Sequence, residues 1–77
     1  MKNNEYVKTS HVFTNEYKDF EVLATFPGLN RLVVIDTFYC VTLRTAKYRA
    51  KKFYPGIAEV LAYRHESGLR DEYIELT

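Results

Sequence analysis

A chain of 77 residues with a formal net charge of +1, 47% hydrophobic and 27% charged, has the composition of a folded protein and room for one domain, which excludes wholesale disorder. One cysteine excludes an internal disulfide, and apolar runs such as Leu32 to Ile35 are far too short to cross a bilayer, so no membrane partner is expected. Near-neutral charge argues against gripping a long duplex, for which a basic balance over the whole domain is expected.

Residues 1–77 are read as a single domain with Met1 to Asn4 as a loose end, no secretion signal, and the cytoplasm as the expected compartment. From Glu5 to Phe13, the β-branched and aromatic residues Val7, Thr9, Val12 and Phe13 predict a first strand, which Asn15 and Glu16 turn out of. Tyr17 to Phe26 alternates cleanly, with Phe20, Val22, Ala24 and Phe26 on one face and Asp19, Glu21, Leu23 and Thr25 on the other. After the Pro27, Gly28 and Asn30 turn, "RLVVIDTFYC" is apolar on both faces: Leu32, Val34 and Phe38 on one, Val33, Ile35 and Tyr39 on the other. That pattern places it in the middle of a sheet.

A helix comes next, capped by Thr42 and stopped by Pro55 and Gly56. "IAEVLAYRH" predicts a fourth strand, Glu66 to Arg70 a turn around Gly68, and "DEYIEL" a fifth strand. The expected fold is α+β in the order β-β-β-α-β-β, a mostly antiparallel sheet with one helix packed on one face. Leu23, Val33, Ile35, Tyr39 and Tyr63 then fall on the uncovered face, which is too apolar to be plain cover and predicts a homodimer or a docked partner there.

The helix segment "TLRTAKYRAKKFYPG" holds five of the eleven bases and no acid. A period of 3.6 residues turns Leu43, Ala46, Ala50 and Phe53 toward the sheet, with Tyr54 at the margin. Arg44, Lys47, Lys51 and Lys52 surround an outward Tyr48, with Arg49 toward the flank. Basic residues suit a helix carboxyl end, so a merely solvated face is the plain reading. Against it, no acid stands between Asp36 and Glu59, and like charges repel where Glu/Lys pairs would have stabilised the helix. Residues 1–40 and 55–77 are both net acidic, so the charge is segregated in a way that suits steering toward a charged partner.

The same segment, with a strand before it and "IAEVLAYR" after it, resembles a pattern in very small phage-encoded inhibitors of host machinery, among them anti-CRISPR proteins and a phage inhibitor of bacterial RNA polymerase. The matching positions are Leu43, Ala46, Ala50 and Phe53. The resemblance implies one helix on a short antiparallel sheet, and a protein that blocks a host defence or nucleic-acid-handling complex in the host cytoplasm by occupying a surface. The matched positions are core positions and transfer no functional residue.

Cys40 with His11 or His65 suggests a thiol and base, but a lone cysteine at a strand end reads more simply as a small buried hydrophobe. No metal spacing and no nucleotide-binding glycine pattern exists, so no cofactor and no enzymatic activity is expected. The acids Glu66, Asp71, Glu72 and Glu75 read as keeping an edge strand soluble or pairing with Arg64 and Arg70. The partner-binding residues are Arg44, Lys47, Tyr48, Lys51 and Lys52, and a second candidate surface is Tyr17, Tyr39, Tyr63 and Tyr73. The partner is a protein or nucleoprotein complex with an acidic or phosphate-binding surface; the alternative is a small module binding nucleic acid.

Overall fold

The computed structural model describes residues 6–64 and 71–76. Five strands and one helix run in the order β1 (Tyr6–Lys8), β2 (Tyr17–Thr25), β3 (Leu32–Thr42), α1 (Leu43–Phe53), β4 (Val60–Arg64) and β5 (Asp71–Glu75). The strands form one sheet of order β1-β5-β4-β2-β3, antiparallel except where β1 runs parallel to β5. The α+β class and the element order are those expected from the sequence. The expected turn from Glu66 to Arg70, with His65, and the loose end at Met1 to Asn4 lie outside the described residues.

β3 is an edge strand, not a central one, and two bulges explain its misleading pattern. Its pairing with β2 shifts register between Lys18 and Phe20 and again between Val22 and Leu23. Each bulge sets an extra β3 residue against its partner strand and re-aims the side chains beyond it. Ile35 therefore joins Phe38 against the main core on the helix side, whereas Val34 pairs with Leu23 toward the open side. At the first bulge Cys40 takes a left-handed φ of 53°, and its N–H donates to Asp19 Oδ1 at 2.8 Å. Cys40 is exposed, so the expectation of a buried cysteine fails because the bulge turns it out.

The first strand stops early. Thr9 N–H gives a last backbone bond to the Tyr73 carbonyl at 3.0 Å, and the chain then leaves the sheet. Phe13 swings over the helix-side core, its ring 5.2 Å from that of Tyr63 in an edge-on contact. At the far end of α1, the Tyr54 carbonyl accepts from Ile57 and Ala58 N–H, both at 3.1 Å, around Gly56 at a φ of 72°. That turn delays β4 to Val60.

The main core joins Phe20, Val22, Phe38, Val41, Leu61 and Tyr63 to Ala46 and Ala50 of α1. A smaller cluster of Leu23, Val60 and Ala62, flanked by Tyr6, Leu32 and Tyr73, lies on the opposite side of the sheet. β5 is flanked by β1 and β4, so its acids do not protect an edge; Glu72 points into the helix side and is buried.

Candidate functional site

The helix is held from both ends. Thr42 Oγ1 accepts from Thr45 N–H at 3.2 Å, which satisfies a donor of the first turn, and Tyr54 N–H closes the last turn on the Ala50 carbonyl at 3.0 Å. The Tyr54 hydroxyl donates to Asp36 Oδ2 at 2.5 Å, tying the helix end to β3, and that bond pushes the Tyr54 pKa up. Ala46 and Ala50, fully buried and small, let the helix lie close on β2 and β3. Those two positions fix the orientation of every other helix residue.

Tyr48 faces away from the sheet and is 63% exposed. Lys52 Nζ sits 5.6 Å from its ring centroid, a cation–π contact worth about 0.5–1 kcal/mol at an exposed site. Arg44, Arg49, Lys51 and Lys52 are exposed around it. Lys47 is half-buried at the flank and, with Leu43 and Arg44, borders a groove whose other wall is Phe13, Thr14, Asn15 and Glu16, the last already engaged by His11. The ion pairs among the described residues join Lys8 to Glu75, His11 to Glu16 and Arg64 to Asp71, and none includes a helix cation. Five cations therefore surround an exposed phenol, none of them in ion-pair contact with an acid among the described residues.

Phe53 departs from its expected place. It is 55% exposed, meeting Phe38 edge-on at 6.4 Å, and Tyr54 fills the inward position because the helix ends at Phe53 and the chain turns there. Of the second candidate surface, Tyr17 and Tyr39 are exposed and Tyr73 is half-buried on the open side. Tyr63 is only 4% exposed, and its hydroxyl donates to Glu72. It lies on the helix side with Ile35, not on the open face, and is closed to docking.

A second surface escaped the sequence. On the open side all five strands bring Tyr6, Asp19, Glu21, Tyr39, Arg64 and Asp71 around one concavity. Burial and the neighbouring Asp71 carboxylate push the Glu21 pKa up, with Arg64 opposing. Burial also raises the Tyr6 pKa, with Glu21 and Asp71 adding to it. Alternation along β2 does place Asp19 and Glu21 together; the register that sets Asp71 and Arg64 beside them has no local sequence signal.

No group of histidine, cysteine, aspartate or glutamate side chains among the described residues is arranged to hold a metal ion, and none of their helices is long and apolar enough to cross a membrane. His11 Nε2 is engaged by Glu16 Oε2 at 2.6 Å. That bond, the largest influence on Glu16, draws its pKa down. Compared with known proteins, the chain matches no family model, no curated protein and no solved structure.

Proposed function

We propose that this chain is a small non-catalytic protein-binding domain that acts by occupying an acidic surface on another macromolecule, with Tyr48 as the anchor and Arg44, Lys47, Lys51 and Lys52 as its charged frame. The observation that carries the reading is the exposed Tyr48 ring set among cations that have no ion-pair partner among the described residues. Aromatic anchors ringed by polar groups dominate the energetics of protein interfaces, and a charged frame accelerates encounter with an oppositely charged partner. An inhibitor of a host complex, phage-encoded as the resemblance implies, is the form of this activity we favour.

Nucleic acid is the second candidate partner, since the same cations suit phosphate. The acidic residues on the opposite side favour protein, because that side would repel a wrapped duplex.

The test compares nuclease-treated lysate of the source organism passed over wild-type protein and over the double variant Tyr48→Ala/Lys51→Ala. Both side chains point outward, so the variant keeps its fold, and loss of an anchoring tyrosine weakens binding by roughly 2 kcal/mol or more. Capture that is equally strong with the double variant rejects the helix face. A gel shift at low salt that vanishes as salt rises would transfer the site to nucleic acid.

A further inference from the structure

The sheet separates two surfaces of opposite charge. On its helix side stand the five cations around Tyr48. On its open side a concavity of about 370 Å³ is walled by Tyr6, Asp19, Glu21, Val34, Tyr39 and Asp71. Arg64 approaches Asp71 at 3.8 Å, but Glu21 has no ion-pair partner among the described residues. Tyr39 is 73% exposed and Val34 42%, so the acidic hollow has an apolar lip.

The two surfaces complement each other, yet they lie on opposite faces of one sheet, so no copy can bring its own together. A twofold dimer that set either surface against its own image would place like charge on like. We propose that copies of this chain associate head to tail, the Tyr48 helix face of one seated on the acidic open sheet face of the next. The inference rests on the same helix face as the proposed function and names the occupant of the sheet face. The phenol of Tyr48 enters the hollow beside Tyr6 and Tyr39, while Arg44 and Lys51 approach Glu21 and Asp71 of the neighbouring copy. Exposed charge pairs contribute little singly, so the aromatic and aliphatic contact supplies the core of the interface and the charges supply its orientation. Being heterologous, the contact either grows into a stack or closes into a ring. A partner that takes the helix face would compete with it.

Sedimentation velocity of the full chain over a range of concentrations tests this at about 0.01 M and about 1 M sodium chloride, where the screening length is ~30 Å and ~3 Å. Mean mass that climbs with concentration at low salt, and climbs markedly less over the same concentrations at high salt, is the expected result. Two charge-reversed variants sharpen it: Arg44→Glu/Lys51→Glu on the helix and Glu21→Lys/Asp71→Lys on the sheet. Each alone should stay monomeric, and mixing the two should restore association, because each then offers the surface the other has reversed. Should the sheet variant fail to fold, the salt series and the helix variant still decide. A protein monomeric at low salt and millimolar concentration, a dimer that stops at two, or association indifferent to salt and to Arg44→Glu/Lys51→Glu overturns the inference. A monomeric wild type that still loses its partner on Tyr48→Ala/Lys51→Ala leaves the proposed function standing. Stacking without any such loss leaves only the self-association.

Discussion

Tyr63 shows why a tyrosine count says little about surfaces. Its ring packs against Phe13 and Phe20, Lys18 Nζ lies 5.2 Å from its centroid, and its hydroxyl donates to Glu72 Oε1 while lying 2.8 Å from Thr9 Oγ1. Thr9 Oγ1 donates to the same carboxylate at 3.0 Å. Burial first, then the Glu72 bond, pushes the Tyr63 pKa from the usual 10 up to about 12. The folded state therefore keeps this proton to higher pH than the unfolded chain. The stabilisation is complete below pH 10 and is lost as pH rises toward about 12. Tyr63→Phe is expected to cost about 1–3 kcal/mol near neutrality and to make the alkaline loss shallower, with Tyr6 and Tyr54 accounting for what remains. Urea unfolding across the alkaline range measures both, and an unchanged slope in the variant would assign the titration elsewhere. Phe53, by contrast, is a surface contact. Its truncation to alanine should cost about 1 kcal/mol, well short of the roughly 3–5 kcal/mol of a buried phenylalanine.

At the scale of elements, α1 was legible and β3 was not. Thr42, the Leu43/Ala46/Ala50 spacing and Pro55 carry the helix bounds and its buried side within fifteen residues of sequence, so local chemistry decides them. The outward place of Tyr48 comes from the same period. β3 reads as doubly apolar because alternation assumes an unbroken ladder, and its faces depend on two bulges fixed by β2 on the other strand and by the Asp19–Cys40 bond. The open-face acids were lost for the same reason, since strand order is a long-range fact. The bulge itself can be tested. Left-handed geometry costs a side chain with a Cβ about 1–2 kcal/mol, so Cys40→Gly should stabilise the fold by roughly 0.5–1 kcal/mol after the added freedom of the unfolded glycine is deducted. A loss of stability on thermal unfolding would mean that the cysteine side chain makes contacts that outweigh the strain.

The molecule as a whole is near neutral because a helix of like charges is balanced by acids spread over the rest of the chain. Balance at a distance differs from pairing. Neighbouring cations on α1 repel by tenths of a kcal/mol per pair, with no described acid within ion-pair reach to offset them. Salt should therefore raise the stability of the dilute monomer while it weakens binding. Between about 0.01 M and about 1 M sodium chloride the expected gain is a few tenths of a kcal/mol, or about 1–3 °C in Tm for a domain of this size. Chloride is the appropriate anion, because sulfate would strengthen apolar burial as well. Arg44→Glu should flatten the dependence and raise Tm at low salt. It removes one repelling charge and places a carboxylate in the first helical turn, where the helix dipole favours it by about 0.3–1 kcal/mol. That a stabilising acid is absent from this position is what a surface selected for binding predicts. If instead Tm falls as salt rises, the helix cations are held by attraction to their own chain, and the helix face is not the free surface on which partner binding and self-association both depend.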